Sequence, residues 1–546
     1  MSVPIIFSHV SFAWPDGAIA LDDVSATFGA GRTGLVGANG SGKTTIFRLI
    51  TGELHPGSGV VTVSGDVAYV PQLITTMPGA SVADLLGVAD ILAALHAIEA
   101  GSCDPDHFDT VGERWDIETQ ADAVLASLDM AGGGLTGADL SRPVTTLSGG
   151  EAMVVAIAGC RLRRAAITVL DEPTNNLDEV LRSTVHEMIR TWPGTVIVAS
   201  HDTALLEQMD AIAELYDGRL SVFGGAYSAW REAMEAEQAA AVQAERTAEQ
   251  AVRAAKRARV AVLERTARGL ARGKQKAVRE GVPKIVRDAM RDQAESGAGR
   301  ARTTGLDKVK EAQSELDQAS GRVRADDHIQ VDLPDPAVHA SRQILELTWG
   351  DSDSFSLRGP QRVALAGRNG SGKTTLIEQM LGLREPDTVP DSRIDAPGLC
   401  GSRVVGRLLT DRVGYLPQRL DVLDDQASAV ENIAAVAPQA TQGEIRARLA
   451  RLLLRGDAVF RPVGALSGGE RFRVSLARLL FAEPPAQLLI LDEPTNNLDL
   501  TSVDQLVEAL EAYRGAILVV SHDPVFLSRV HVDVRLDLSD GRIARS

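Results

Sequence analysis

The chain has 546 residues, too many for one hydrophobic core, so at least two domains are expected. Hydrophobic residues at 44% and charged residues at 24% suit globular cores, and no apolar run reaches the roughly eighteen residues a membrane-spanning helix needs. A net charge of -17 argues against nucleic acid as a partner of the chain as a whole. Cys103, Cys160 and Cys400 lie too far apart to suggest a zinc site or a disulfide framework, and a reducing cytoplasm is the expected compartment.

The opening MSVPIIFSHVSF has no basic n-region and no long apolar stretch, so it reads as a first strand and not as an export signal. The apolar run TGLVGA then leads into GANGSGKTT, Gly37 to Thr45. A strand followed by GxxxxGK[ST] and a helix is a phosphate-binding loop, in which glycines let backbone N–H groups converge on an anion at the helix N-terminus. Gly37, Asn39, Gly40, Ser41, Gly42, Lys43, Thr44 and Thr45 are the candidate ATP contacts, with Lys43 on the β and γ phosphates and Thr44 on Mg2+. Trp14, about twenty residues upstream, is a candidate to stack on adenine. Gln72 ends the short strand AYVPQ, where an amide can touch the metal or the water.

LSGGE follows at Leu147 to Glu151. Amides of Ser148, Gly149 and Gly150 at a helix start form a second anion nest. In AITVLDEP a strand ends in two adjacent carboxylates, expected to point apart because side chains alternate along a strand. Asp171 would join the Mg2+ shell and Glu172 would act on the attacking water. His201, after the run TVIVAS, is placed to contact the γ-phosphate.

The motifs from the P-loop onward recur in the same order. GRNGSGKTT provides Gly367, Asn369, Gly370, Ser371, Gly372, Lys373, Thr374 and Thr375; GYLPQ provides Gln418. The second LSGGE provides Ser467, Gly468 and Gly469, the second LDEP Asp492 and Glu493, and the second SHD His522. Trp349 is the counterpart of Trp14, though core packing suits it as well. Because each P-loop already holds phosphates, each LSGGE nest is expected to serve the other copy's nucleotide: Lys43 with Ser467 to Gly469, Lys373 with Ser148 to Gly150. The expected fold class is α/β, two P-loop nucleotide-binding domains at 1–230 and 326–546 joined by a long two-helix linker at 231–325.

That linker is Ala-, Glu-, Gln-, Arg- and Lys-rich, with a helix break expected between Gly269 and Pro283. From Arg246 to Arg302 it carries sixteen Lys or Arg against six Asp or Glu, a local excess of ten in an acidic chain. Arg268, Arg272, Lys274, Lys276, Arg279, Lys284 and Arg287 are the candidate RNA contacts, since Lys and Arg neutralise RNA phosphates with little sequence readout.

The full set of P-loop, Gln loop, LSGGE, DEPTNNLD and His resembles ABC ATPases over nearly all of both copies. More narrowly, twin cassettes, DEPTNNLD in both, the basic linker and RWDIETQADAVLASLDM before the first LSGGE resemble the ABC-F proteins. LSGGERFRVSLARLLFAEPPAQLLILDEPTNNLD in the second copy is the strongest stretch. The resemblance implies a cytoplasmic ATPase using ATP and Mg2+, without membrane domains, monomeric with its two cassettes paired, whose linker reaches ribosomal tRNA sites and the peptidyl-transferase region. It leaves open antibiotic resistance or translation regulation; the extended basic linker and the absence of an extension after the second cassette favour resistance. The first copy departs from the pattern where Val154 replaces the second copy's Arg473. A transport ATPase on separate membrane subunits is the alternative, and a DNA-repair ATPase is weakened by the lack of zinc cysteines and the short hairpin.

Overall fold

The computed structural model describes residues 5–72, 74, 79–128, 135–279, 284–324, 329, 333–350, 353–384, 404–418, 422–496, 498–539 and 541–545. The chain divides into two compact units, one of residues 1–227 and 328–546, the other of residues 228–327.

In the first copy, β1 (Ile5–Ala13), β2 (Ile19–Phe28), β3 (Arg32–Val36), β4 (Ser58–Val63), β5 (Val67–Val70), β6 (Ile167–Asp171), β7 (Thr195–Ala199), β8 (Ala211–Tyr216) and β9 (Arg219–Gly224) make two sheets. One is antiparallel, β2-β1-β4; the other runs β5-β6-β7-β3-β8-β9 and is parallel except for β9. Every residue of β6 and β7 is buried, as a parallel strand covered on both faces requires, which is why ITVLD and TVIVA read as continuous apolar runs. Phe7, Phe28, Ile46 and Phe47 pack with the strand side chains Leu35, Val169 and Ile197 into one core.

The second copy repeats this with β10 (Gln343–Trp349), β11 (Asp353–Arg358), β12 (Arg362–Ala366), β13 (Val405–Leu408), β14 (Val413–Leu416), β15 (Leu488–Asp492), β16 (Ala516–Val520), β17 (Val534–Ser539) and β18 (Arg542–Arg545). Its sheets are β11-β10-β13 and β14-β15-β16-β12-β17-β18. In both large sheets the strand feeding the P-loop sits between strands from much later in the chain. Ligands bind at the carboxyl ends of such strands.

The other unit is a pair of helices, Tyr227–Arg279 and Lys284–Ser320. The first runs through Gly269 and Gly273, so the break falls at the far end of the expected window. A helical glycine costs only about 1 kcal/mol relative to alanine, which fifty-three residues of helix outweigh. The helices are antiparallel neighbours: Gln238 Nε2 donates to the Arg324 carbonyl at 3.3 Å, and Ser320 Oγ donates to Glu245 at 2.7 Å.

Candidate active site

Four adjacent strands of each large sheet end at one edge, and every predicted catalytic group sits there. In the first copy β5 leads to Gln72, β6 ends at Asp171, β7 leads to His201 and β3 opens into the P-loop. The loop needs glycine for two different reasons. A Cβ at Gly37 would lie 2.5 Å from the Leu215 carbonyl oxygen of the neighbouring strand, and Gly42 takes φ 109 to cap the helix Lys43–Ile50. Gly372 repeats that left-handed cap at φ 93 before Lys373–Met380.

The Lys43 ammonium donates to the Gly37 and Ala38 carbonyls at 2.7 and 3.3 Å and lies 3.3 Å from His201 Nε2. Lys373 donates to the Gly367 and Arg368 carbonyls at 2.5 and 2.9 Å. Burial pulls the pKa of both lysines down, and neighbouring carboxylates oppose it. The Ser41 and Ser371 hydroxyls are buried and have no hydrogen-bond partner among the described residues.

Beside each lysine a hydroxyl meets a carboxylate. Thr44 Oγ1 donates to Asp171 Oδ2 at 2.9 Å, and Thr374 Oγ1 donates to Asp492 Oδ2 at 2.8 Å. Two hard oxygen donors so close, next to a phosphate loop, suit Mg2+, which takes one or two protein ligands and completes its shell with phosphate and water.

Glu172 and Glu493 do not continue the strand alternation expected of them. Each leaves its strand in the left-handed region, at φ 50 and 46, with its N–H held by the Ala199 or Val520 carbonyl of the next strand at 2.9 Å. Such conformations are strained for residues other than glycine and gather at functional sites. Burial pushes Glu172 up to about 8 and Glu493 up to about 7, since the charged carboxylate loses water. Burial likewise drives His201 down to about 3 and His522 to about 4. Both imidazoles are therefore neutral at pH 7, and their approaches to Glu172 Oε1 (3.2 Å) and Glu493 Oε1 (3.3 Å) are not ion pairs. The His201 backbone amide opposes part of the rise at Glu172, as the His522 amide does at Glu493.

Each LSGGE opens a helix, Gly149–Arg163 and Gly468–Leu480. The serine amides do not join an anion nest as expected. Ser148 N–H donates to Glu151 Oε2 at 2.7 Å and Ser467 N–H to Glu470 Oε2 at 2.9 Å, the capping box that S-x-x-E also encodes. The serine hydroxyls are engaged in the same boxes, Ser148 Oγ accepting from the Glu151 N–H at 3.2 Å and Ser467 Oγ donating to Glu470 Oε2 at 2.8 Å, so the glycine amides of the first turn are what remain for a phosphate.

A family profile described as "ABC transporter" matches residues 21–175 and 351–496, more than half of the chain. The tylosin resistance ATP-binding protein TlrC of Streptomyces fradiae is 28% identical over 569 residues, 96% of each chain. YfmM of Bacillus subtilis, an uncharacterized ABC transporter ATP-binding protein, is 31% identical over 91% of this chain and 90% of its own. The energy-dependent translational throttle protein EttA of Haemophilus influenzae is 28% identical over 95% and 89%. This chain belongs to the ABC family of ATPases, in its F subfamily. It binds and hydrolyses ATP. The tandem fold is also that of a solved structure described as "RNase-L Inhibitor", with TM-score 0.53 at 18% identity over 98% of this chain and 88% of that one. No described helix of the ABC-F chain is long and apolar enough to cross a membrane.

In this ABC-F ATPase predicted site residues of one cassette touch residues of the other that the motif reading did not single out. The Asn39 N–H of the first P-loop donates to Asp499 Oδ2 at 2.9 Å. In the second P-loop Asn369 Nδ2 donates to the Asn176 carbonyl at 3.0 Å, and Gln418 Nε2 donates to Asn176 Oδ1 at 3.3 Å. Asn176, Asp178 and Asp499 all lie in DEPTNNLD, whose second half had no chemistry assigned to it. The signal was its repetition.

A cavity of about 710 Å³ lies between the cassettes, walled by Lys373, Thr374, Gln418, Glu493 and His522 from the second and by Gln72, Asn176 and His201 from the first. Neither signature is among the described residues lining it. Trp14 is exposed at the end of β1, edge-on to Phe12 with centroids 5.2 Å apart, whereas Trp349 packs on the second core. In the linker, Arg268 pairs with Glu264 at 3.1 Å and Arg272 is exposed. The side chains of Lys274, Lys276, Arg279, Lys284 and Arg287 lie outside the described residues.

Proposed function

We propose that this ATPase acts on the ribosome, closing its cassettes on two ATP molecules while the basic linker, taken as residues 231–325 between cassettes at 1–230 and 326–546, works on tRNA or rRNA near the peptidyl-transferase centre. The observation that carries this reading is a two-helix unit whose stretch from Arg246 to Arg302 holds sixteen Lys or Arg against six Asp or Glu, in a chain of net charge -17. It is supported by relatives named for tylosin resistance and for a translational throttle, each matched over nearly the whole chain. Of the two roles, resistance by ribosome protection is the one we favour, in the cytoplasm and as a monomer with its cassettes paired.

At each site the P-loop lysine holds the β and γ phosphates and the loop amides cradle them. Bound Mg2+, held by Thr44, Asp171 and Gln72 or by Thr374, Asp492 and Gln418, supplies charge neutralisation of the phosphates. Glu172 and Glu493 orient the attacking water and take its proton, which their raised pKa values suit. His201 and His522, neutral, donate to the γ-phosphate, and Trp14 stacks on adenine. The opposite signature's glycine amides complete each site.

Replacing Glu172 and Glu493 together by Gln and adding ATP should trap the closed protein, which is then expected to sediment with ribosomes. Recovery with membranes instead, as a transport subunit would show, overturns the reading.

A further inference from the structure

One cluster near the second site has no counterpart at the first. Arg182, on the helix Glu179–Arg190 of the first cassette, is mostly buried and holds Asp202 with two nitrogens, Nε on Oδ2 at 2.7 Å and Nη2 on Oδ1 at 2.6 Å. His186, one turn further along, contacts the same carboxylate at 2.7 Å. The remaining Arg182 nitrogen, Nη1, crosses to the other cassette and donates to the carbonyl oxygen of His522 at 3.2 Å. Arg182 also shares the wall of the 710 Å³ cavity with Lys373 and Glu493.

Counting from the shared DEPTNNLD places Val503 where the first copy has Arg182, and Val507 where it has His186. The second cassette therefore cannot return the contact to His201. A second one-sided link lies beside it, Arg535 of the second cassette on Glu179 of the first at 3.0 Å.

We infer that Arg182 is a positioning residue for the second site alone, fixing the backbone of His522 and bringing a fixed positive charge to Glu493 from the opposite cassette. The planar guanidinium does this because two of its nitrogens are locked by Asp202, so the third has one direction left. Asp202 is itself fixed, since it caps the helix Thr203–Leu206 through the Ala204 and Leu205 amides. Cassette separation would withdraw the arginine, so through this residue the second site, and not the first, senses whether the cassettes are together.

This rests on Glu493 and His522 being the groups that act on ATP at the second site, and the experiment separates the two claims. In a Glu172→Gln chain only the second site retains its base; in a Glu493→Gln chain only the first does. Arg182→Val is expected to lower kcat about tenfold in the former with KM for ATP unchanged, and less than twofold in the latter. Arg182→Lys, which keeps the charge beside Asp202 but lacks the fork, should fold as the parent does by thermal midpoint and still lose most of the rate. An equal fall in both backgrounds, no fall in either, or full rescue by lysine overturns the inference. If Glu493→Gln alone leaves turnover at the parental rate, the assignment of the second site is what has failed.

Discussion

The two ATP sites share every motif residue, yet their surroundings differ. At the first, the lysine ammonium reaches His201 Nε2 and the loop amide of Asn39 is held by Asp499. At the second, Asn369 and Gln418 bond to Asn176, and Arg182 arrives from the other cassette. Duplication kept the groups proposed to touch phosphate, while the residues behind and opposite them diverged. Chemistry is set by the motif and its tuning by what the partner cassette presents.

The largest effect expected is on the bases. Glu172→Gln with Glu493→Gln should cut steady-state ATP hydrolysis by about a hundredfold or more, the usual scale for a lost general base, in a phosphate-release assay. Each single variant then reports the remaining site. In those single-site chains the comparison sharpens with pH. Each base must be ionised, so activity falls as pH drops through its pKa: near 8 for the first site and near 7 for the second. Coincident acid limbs would remove the distinction.

The two sites were unequally legible in the sequence. Strands such as ITVLD and AILVV are buried on both faces, so continuous apolar runs mark them without structure. The P-loops, Asp171, Glu172 and His201 follow these strands within a few residues, and local order places them at one edge of the sheet. The contacts of Asn176, Asp499 and Arg182 depend on how two cassettes face each other, which no local pattern encodes. Ser148 and Ser467 show a different kind of miss: S-G-G-E fits both an anion nest and a capping box, and Glu151 and Glu470 claim the serine amide. The linker break, expected between Gly269 and Pro283, falls inside that window after Arg279, and the helix passes through Gly269 and Gly273.

A smaller effect concerns stability. The native state holds the Glu172 proton more tightly than an unfolded carboxyl of pKa 4.5, so this group's contribution is fully present below pH 4.5 and is lost as pH rises toward 8. Glu172→Gln should therefore stabilise the fold more at pH 8.5 than at pH 4.5, measured by urea unfolding, and Glu493→Gln should show the same trend over a narrower window.

The smallest effect lies in the signature helices. Arg473 donates to the Gly469 carbonyl at 3.2 Å, where the first copy has the fully buried Val154. Arg473→Val should cost about 1 kcal/mol, the scale of one such hydrogen bond, read as a lower thermal midpoint. A larger loss of turnover at the first site than at the second would show that this arginine also steadies the nest facing Lys43.

The central claim is that each site pairs one cassette's P-loop with the other's signature. Its most direct test compares ATP hydrolysis by two double variants, Lys43→Met with Ser467→Arg and Lys43→Met with Ser148→Arg. The first should match Lys43→Met alone, because both changes fall on one site, and the second should lose nearly all activity, because each site is hit once. The reverse order, or complete loss in Lys43→Met alone, would contradict the account.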